Sequence, residues 1–369
     1  GDVVQSEEAA PLVGTMVLWV DAHRPTSLAK MDYHKELSKR LGALAADGDI
    51  PHLLFYGPSG AGKKTRIAAL LKALFGPGAD KHRLEHREFK TPTNRTVEIT
   101  TCASNYHIEM NPGDAGSADR FVVQEVIKEM AQSGSVHGSS SSSSRGGGGS
   151  SASRGPLGYK VVVLVEVDRL SRQAQAALRR TMEKCTATCR LVLCCTNPSK
   201  VIDPVRSRCL GIRVAAPTER EVCAVLQKVA DKERFSLPDE FAARVAKASR
   251  RNVRRALLAL EACKAQRYPF GVDDQPVDVP DWELYVKAIA KGITDDQSPQ
   301  RLLQTRDKLF ELLAKCVPAD LILKTLVAEL LKLLDDDLKP ELIHWAAVYE
   351  HRIQLGSKEI FHLEAFVAR

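Results

Sequence analysis

Aromatic side chains are scarce in this 369-residue chain, at 5% of the total, which argues against a platform that stacks the bases of a single strand. Long apolar runs are missing as well. The clearest near the middle is Val161-Val-Val-Leu-Val165, far short of the roughly 18 residues a membrane span needs, so no membrane is expected. No C-x-x-C pair occurs among the nine cysteines, which are odd in number and scattered. That excludes a disulfide framework and gives no spacing for a structural zinc; small buried thiols in a reducing compartment are expected, and no metal ligand is assigned. The first residues, Gly1-Asp-Val-Val-Gln-Ser-Glu-Glu8, lack the basic start and apolar core of a secretory signal. Without an initiator Met, the chain reads as a piece of a longer one. Neither sign of charge dominates: a formal net charge of +7 permits contact with a polyanion without demanding it.

What is present is an ordinary globular composition, 44% hydrophobic and 27% charged, long enough for two or three domains at ~150 residues each. Residues 1–16 read as a flexible tail. From 17 to 215, short apolar runs alternate with amphipathic stretches. His52–Tyr56, Val97–Thr101, Lys160–Val165 and Arg190–Cys195 read as strands, and Lys64–Leu74, Arg120–Ala131 and Gln173–Lys184 as helices. This alternation predicts a parallel α/β sheet covered on both faces. A segment over 133–158 interrupts it with Ser139–Ser144 and Gly146–Gly149 runs. Too few apolar groups are there to repay ordering, so a disordered surface insert with an end-to-end scale of ~25 Å is expected. After Pro217 the strands stop. Thr218-Glu-Arg-Glu221 is a capping box, and three helices are predicted over 218–234, 238–249 and 251–267, a small helical domain spanning 216–275. Tyr268–Pro280 reads as a linker. The remainder, 276–369, reads as helical, with Ser298-Pro299 as N-cap and first helical residue and Pro318, Pro340 and Gly356 as punctuation.

Gly57-Pro-Ser-Gly-Ala-Gly62-Lys63-Lys64-Thr65 follows a predicted strand and opens a predicted helix, the context a phosphate-binding P-loop requires. Glycines let backbone N–H groups approach phosphate oxygens, the helix N-terminus adds its dipole, and Lys63 is placed for the β- and γ-phosphates. Two departures concern Mg²⁺. The residue after Lys63 is Lys64, where the pattern has Ser or Thr; Thr65 comes one residue late and is rotated by about 100° on a helix. The strand Val161–Val165 places Val165 where the metal-binding Asp belongs, keeps Glu166 at the water-polarising position and carries Asp168 two residues on. Both protein groups that normally hold Mg²⁺ are altered while the phosphate glycines are intact, so the site is expected to hold nucleotide and hydrolyse it poorly.

Asp203-Pro-Val-Arg206-Ser207-Arg208-Cys209 places two arginines around a serine after the last predicted strand. Arginine suits stabilisation of charge on a transferring phosphoryl group and is sometimes supplied by a neighbouring subunit. Arg250-Arg-Asn-Val-Arg254-Arg255 opens the third helix of the small domain, and one member is in range to reach back to a nucleotide.

These motifs, with Leu18-Trp-Val-Asp-Ala-His-Arg24-Pro25, Ala176-Ala-Leu-Arg-Arg-Thr-Met-Glu183 and Asn252-Val-Arg254-Arg-Ala-Leu257, resemble the small subunits of replication factor C, the eukaryotic clamp loader and an AAA+ ATPase assembly. The resemblance covers about 18 to 369, the Ser/Gly insert excepted. The G-K-K-T loop, the lost Asp at Val165, Asn105-Tyr-His-Ile-Glu-Met-Asn-Pro112 and Tyr349-Glu-His-Arg-Ile-Gln-Leu-Gly-Ser357 are most similar to the subtype numbered three in animals and five in budding yeast. It implies an α/β AAA+ P-loop domain, a helical lid and an all-α C-terminal collar, in chains that run somewhat past Arg369. It further implies a nuclear heteropentamer with other replication factor C subunits, which loads the sliding clamp PCNA onto primer–template DNA. ATP or ADP would be held by Gly57, Pro58, Ser59, Gly60, Ala61, Gly62, Lys63, Lys64 and Thr65. Val20, Arg24 and Pro25 would lie along the adenine, Arg254 would be the sensor-2 arginine, and Thr196 or Asn197 would occupy the sensor-1 region. Glu166 would be what remains of the Walker-B acids, and Arg208 the arginine finger given in trans. DNA contact would run through the phosphate backbone, with Arg120 and Lys128 as candidates on the helix after Asp119. Two other readings stay open: an autonomous Mg²⁺-dependent ATPase, and a scaffold that binds no nucleotide.

Overall fold

A computed structural model describes residues 17–90, 96–134, 158–186, 188–270, 276–356 and 358–369. The tail expected over 1–16, and the insert expected over 133–158 from residue 135 to 157, lie outside the described residues. The chain divides into two compact units, Gly1–Val277 and Asp278–Arg369.

In the first unit, α1 (Trp19–Ala22) and α2 (Lys35–Asp47) precede β1 (Leu53–Tyr56) and α3 (Lys63–Phe75). Then come β2 (Arg83–Lys90), β3 (Thr96–Ala103), β4 (His107–Met110), α4 (Asp119–Gly134), β5 (Lys160–Leu164), α5 (Arg172–Lys184), β6 (Cys189–Cys195), α6 (Asp203–Arg206) and β7 (Leu210–Arg213). The seven strands form one sheet in the order β2-β3-β4-β5-β6-β1-β7. β4, β5, β6, β1 and β7 run parallel, with Leu53 opposite both Val192 and Leu210. Their near-continuous apolar text has a direct cause. Successive side chains point to opposite faces, and both faces are covered. Leu54, Val162, Leu164, Leu191 and Leu193 pack under α4 and α5. Leu53, Phe55, Val161, Val163 and Val192 pack under α2 and α3.

The expected parallel sheet is present, with one antiparallel edge added to it. β2, β3 and β4 form an antiparallel edge, with Arg83 opposite Ala103 and Cys102 opposite Glu109, and the strand expected at Val97–Thr101 is the middle of β3. β2 reads Arg-Leu-Glu-His-Arg-Glu-Phe-Lys; Leu84 is 76% exposed while Phe89 is buried. It is a strand through its eight-residue pairing with β3, not through burial, which is why its polar text gave no strand signal.

α7 (Glu219–Lys232), α8 (Asp239–Ala248) and α9 (Val253–Gln266) follow. The capping box forms as expected, Thr218 accepting from the Glu221 N–H while the Glu221 carboxylate accepts from the Thr218 N–H. Val222, Leu226, Phe241, Val245 and Leu260 make the core of this helical group, and Phe270, in the stretch read as a linker, stacks on Phe241 at 4.8 Å. Trp19, from the far end of the sequence, joins the same core. The second unit consists of α10 (Asp281–Asp295), α11 (Pro299–Ala314), α12 (Ala319–Leu333), α13 (Lys339–Leu355) and α14 (Glu359–Val367) around Ile289, Leu309, Ile322, Leu326 and Leu363. Ser298 caps α11 with Pro299 in its first turn. No helix among the described residues is long and apolar enough to cross a membrane.

One buried histidine makes the first unit sensitive to acid. His107 at the start of β4 is 5% exposed and its Nδ1 pairs with the Ser104 hydroxyl at 2.7 Å. Burial, with His82 nearby, lowers its pKa from 6.5 to about 4. The unfolded chain therefore binds a proton that the folded chain refuses between pH 6.5 and about 4. Stability is full above pH 6.5 and falls through that window, by about 1–2 kcal/mol between pH 7 and 5. Urea midpoints measured across this range check it: the wild-type slope is expected to flatten in His107→Gln, and an unchanged slope would contradict it.

Candidate nucleotide-binding site

The P-loop leaves the carboxyl end of β1, whose parallel neighbours are β6 and β7, where open α/β sheets place their ligands. Gly57, Gly60 and Gly62 have φ of 148°, 73° and 81°, the region only glycine enters freely. The space is as restrictive as the backbone. A Cβ on Gly57 would lie 1.9 Å from the Val214 carbonyl oxygen, and one on Gly60 would lie 1.8 Å from Asn252 Oδ1. The loop is thus pressed between β7 and the N-cap of α9, since Asn252 Oδ1 also accepts from the Arg255 N–H. Lys63 folds back, its ammonium donating to the carbonyl oxygens of Gly57 (2.6 Å) and Pro58 (2.9 Å).

Under the loop lies a residue that the motif did not flag. Arg66 is 0% exposed. It donates to the carbonyls of Ala61 (3.1 Å), Gly62 (3.4 Å) and Tyr33 (3.0 Å), and its guanidinium lies over the Tyr33 ring at 4.7 Å. The Tyr33 hydroxyl in turn donates to the Ala61 carbonyl. Arg66 Nε is buried without a partner. The only sequence signal was a charged residue three positions after Lys63, where the helix turns inward.

Two cavities meet at Gly60, Gly62, Thr65 and Arg254. The larger, about 810 Å³, is walled by Val20, Arg24 and Pro25 on one side and by Val225, Val229 and Leu257 of α7 and α9 on the other. That volume suits a small-molecule ligand. The smaller, about 120 Å³, is walled by Ser59, Lys63, Lys64, Val165, Glu166, Cys194, Cys195 and Thr196. The structure therefore brings together Val20, Arg24, Pro25, Ser59, Gly60, Gly62, Lys63, Lys64, Thr65, Glu166 and Arg254. Gly57, Pro58 and Ala61 shape the loop behind them. Arg254 is exposed, and its side chain carries no hydrogen bond or ion pair to the described residues. Of the two sensor-1 candidates, Thr196 faces the small cavity, while Asn197 Oδ1 accepts from the Ser199 N–H.

The segment bearing Val20, Arg24 and Pro25 is strapped to the helical group. Trp19 stacks on Phe235 at 5.4 Å, Lys264 lies over both rings, the Trp19 N–H donates to Glu261, and His23 pairs with Glu233 at 2.7 Å. At its other end Arg24 Nε donates to Thr65 Oγ1 at 3.3 Å. Thr65 thus lines both cavities while its hydroxyl accepts from the Arg24 strap.

The acidic side is also rearranged. Glu166 is left-handed (φ 56°) and pairs with Arg169 at 3.0 Å. Asp168 Oδ2 accepts the backbone N–H groups of Thr196 and Asn197, each at 3.1 Å. Lys64 forms an ion pair with Glu109 of β4. Burial raises the thiols of Cys194 and Cys195 to about 11 and about 12, so they are neutral, unreactive wall atoms.

Arg208 lies on neither cavity wall. Its Nη2 and Nε hold Glu183 Oε1 at 2.6 and 2.9 Å, and Nη1 donates to the Pro204 carbonyl at 2.7 Å. Arg208 accordingly holds the Glu183 carboxyl below the usual carboxylate range. Arg206 is taken by Asp203. Arg120 and Lys128 are exposed on α4, away from both cavities.

Comparison with known proteins follows the same lines. Residues 282–369 match the family model "Replication factor C subunit 3, C-terminal domain", and residues 224–265 match "RCF1/5-like, AAA+ ATPase lid domain". Replication factor C subunit 3 of Mus musculus is 52% identical over 354 residues, covering 96% of this chain and 95% of that protein. A probable replication factor C subunit 3 of Dictyostelium discoideum is 53% identical over 96% of this chain and 97% of that protein. Replication factor C subunit 5 of Oryza sativa subsp. japonica is 52% identical over 96% of each. A Thermotoga maritima RuvB structure aligns at TM-score 0.45 and 19% identity over 73% of this chain and 78% of that one, too distant to add to the fold described above. With half of its residues shared along nearly its whole length, the chain belongs to the family of replication factor C subunits numbered 3 or 5, with an AAA+ P-loop core, a lid and a helical C-terminal unit.

Proposed function

We propose that this chain is a nucleotide-binding small subunit of a replication factor C clamp loader, in which it acts mainly through its neighbours. It assembles with other replication factor C subunits in the nucleus and helps place the sliding clamp PCNA on primer–template DNA. DNA is met through its phosphates, with Arg120 and Lys128 as candidate contacts. The observation that carries the reading is a P-loop complete on its phosphate side and rebuilt on its metal side. Gly57, Gly60 and Gly62 form a cradle that no side chain fits, while Lys64 is paired with Glu109 and Asp168 is committed to backbone N–H groups.

In this reading the 810 Å³ cavity takes the base and ribose, with Val20 and Pro25 against the ring. The loop N–H groups, Lys63 and Arg254 take the phosphates of ATP or ADP. The donor set suits such a ligand: a helix N-terminus, two cations and a buried guanidinium beneath the loop. Glu166, turned to Arg169, is not poised over an attacking water, so turnover in this chain is weak. Arg208, partly exposed just past the end of α6 and held by Glu183, is supplied to a neighbour's ATP. The division of the structure into AAA+ core (17–215), lid (216–275) and collar (276–369) follows the same reading.

Reconstitution tests it. The remaining subunits, the clamp and primed DNA are combined with and without this chain, and clamp loading is measured. Loading is expected only when the chain is present; full loading in its absence would refute the proposal.

A further inference from the structure

The divalent cation that AAA+ nucleotide chemistry implies does not fit the residues found here. Mg²⁺ demands hard oxygen ligands in near-octahedral geometry. At the position after Lys63 stands an ammonium, and at the end of β5 stands Val165. The groups nearest the two altered positions are engaged elsewhere: Asp168 Oδ2 by two backbone N–H groups, Glu166 by Arg169, and Thr65 by Arg24. Among the described residues, no cluster of three His, Cys, Asp or Glu side chains is arranged to hold a metal ion.

What stands there instead is a partly exposed positive charge. Lys64 lines the 120 Å³ cavity beside Lys63, and its ammonium pairs with Glu109 across the cavity wall from β4. Both partners are partly exposed, 42% and 31%, so the pair is inexpensive to open. A lysine on a four-carbon stem can turn from a carboxylate to a phosphate a few ångströms away, and water can take its place on Glu109. We propose that this site binds its nucleotide without a divalent cation: Lys64 leaves Glu109 on binding and supplies, at the β-phosphate, the charge that Mg²⁺ supplies elsewhere. The ligand class is a metal-free nucleoside diphosphate or triphosphate. Lys63, Lys64 and Arg254 bring three positive charges to the lining of the smaller cavity, enough to meet a diphosphate without a cation. The inference rests on the nucleotide-site reading above and goes beyond it in ligand form.

The test is equilibrium binding of a fluorescent ADP analogue to the full chain, by anisotropy, in EDTA and in millimolar Mg²⁺. The affinity is expected to differ by less than about twofold between the two. Lys64→Ser is expected to lower the affinity in EDTA by about tenfold or more, the loss of one charge-assisted contact, and the double variant Lys64→Ser/Val165→Asp to regain binding only when Mg²⁺ is added. Glu109→Gln releases Lys64 and is expected to tighten binding in EDTA. Tightening of the wild-type chain by tenfold or more with Mg²⁺, or an unchanged affinity in EDTA for Lys64→Ser, would overturn the inference while leaving the nucleotide site standing. No binding in either condition, with circular dichroism showing a folded chain, would overturn both.

Discussion

Arg208→Ala is expected to lower ATP turnover by the reconstituted assembly, with clamp and primed DNA, by about 10³-fold at the interface it serves. The residual rate is that of interfaces furnished by other subunits. Three features support this magnitude. The guanidinium is absent from its own chain's cavities. It is held in one pose by Glu183 and the Pro204 carbonyl. Arginine also remains protonated and offers paired donors, so it stabilises developing phosphoryl charge better than lysine does. Arg208→Lys is therefore expected to recover little. Nucleotide binding by the isolated chain should not change, which separates a loss in trans from a folding defect. Turnover of Arg208→Ala within about twofold of wild type would remove the finger from the scheme.

Arg66→Ala is expected to destabilise the first unit by about 3 kcal/mol and to cost the site its nucleotide. Deleting the side chain leaves a void under the loop, the Tyr33 carbonyl loses its guanidinium donor, and the Gly62 carbonyl keeps only the backbone N–H of residue 66. The Ala61 carbonyl keeps only the Tyr33 hydroxyl. Arg66→Met preserves most of the volume and none of the donors, so its cost should be smaller, about 1–2 kcal/mol, with the same loss of affinity. Urea denaturation and fluorescent-ADP binding of the two variants separate packing from loop support. A change below about 0.5 kcal/mol in Arg66→Ala would show that the buried guanidinium supports nothing.

How far the sequence led depended on how much of each signal was local. β1, β5 and β6 were legible because strands buried on both faces must be apolar throughout. The lid helices were legible because Thr218, Glu221 and Asn252 are caps whose chemistry acts within one turn. β2 and β4 were not: β2 is a strand through its pairing with β3, and β4 is a four-residue strand held between β3 and β5, too short for its own text to signal. The nucleotide loop and both altered metal positions could be read from spacing alone. Their consequences could not: the Lys64–Glu109 pair joins residues 45 positions apart, the Asp168 contacts reach across to the end of β6, and the Trp19 strap spans most of the first unit. Asp168 stands two residues past Glu166, close in sequence to the missing metal ligand. Its carboxylate instead fixes the turn after β6, a role visible only once the two strand ends lie side by side.

The most direct measurement loads the isolated, full chain with ATP labelled at the γ-phosphate and follows bound nucleotide and released phosphate together. The chain is expected to retain nucleotide with no phosphate release above background, and Lys63→Ala to retain none. Repeated Mg²⁺-dependent release of phosphate by the isolated chain, abolished by Lys63→Ala, would contradict the central claim and make it an ATPase in its own right.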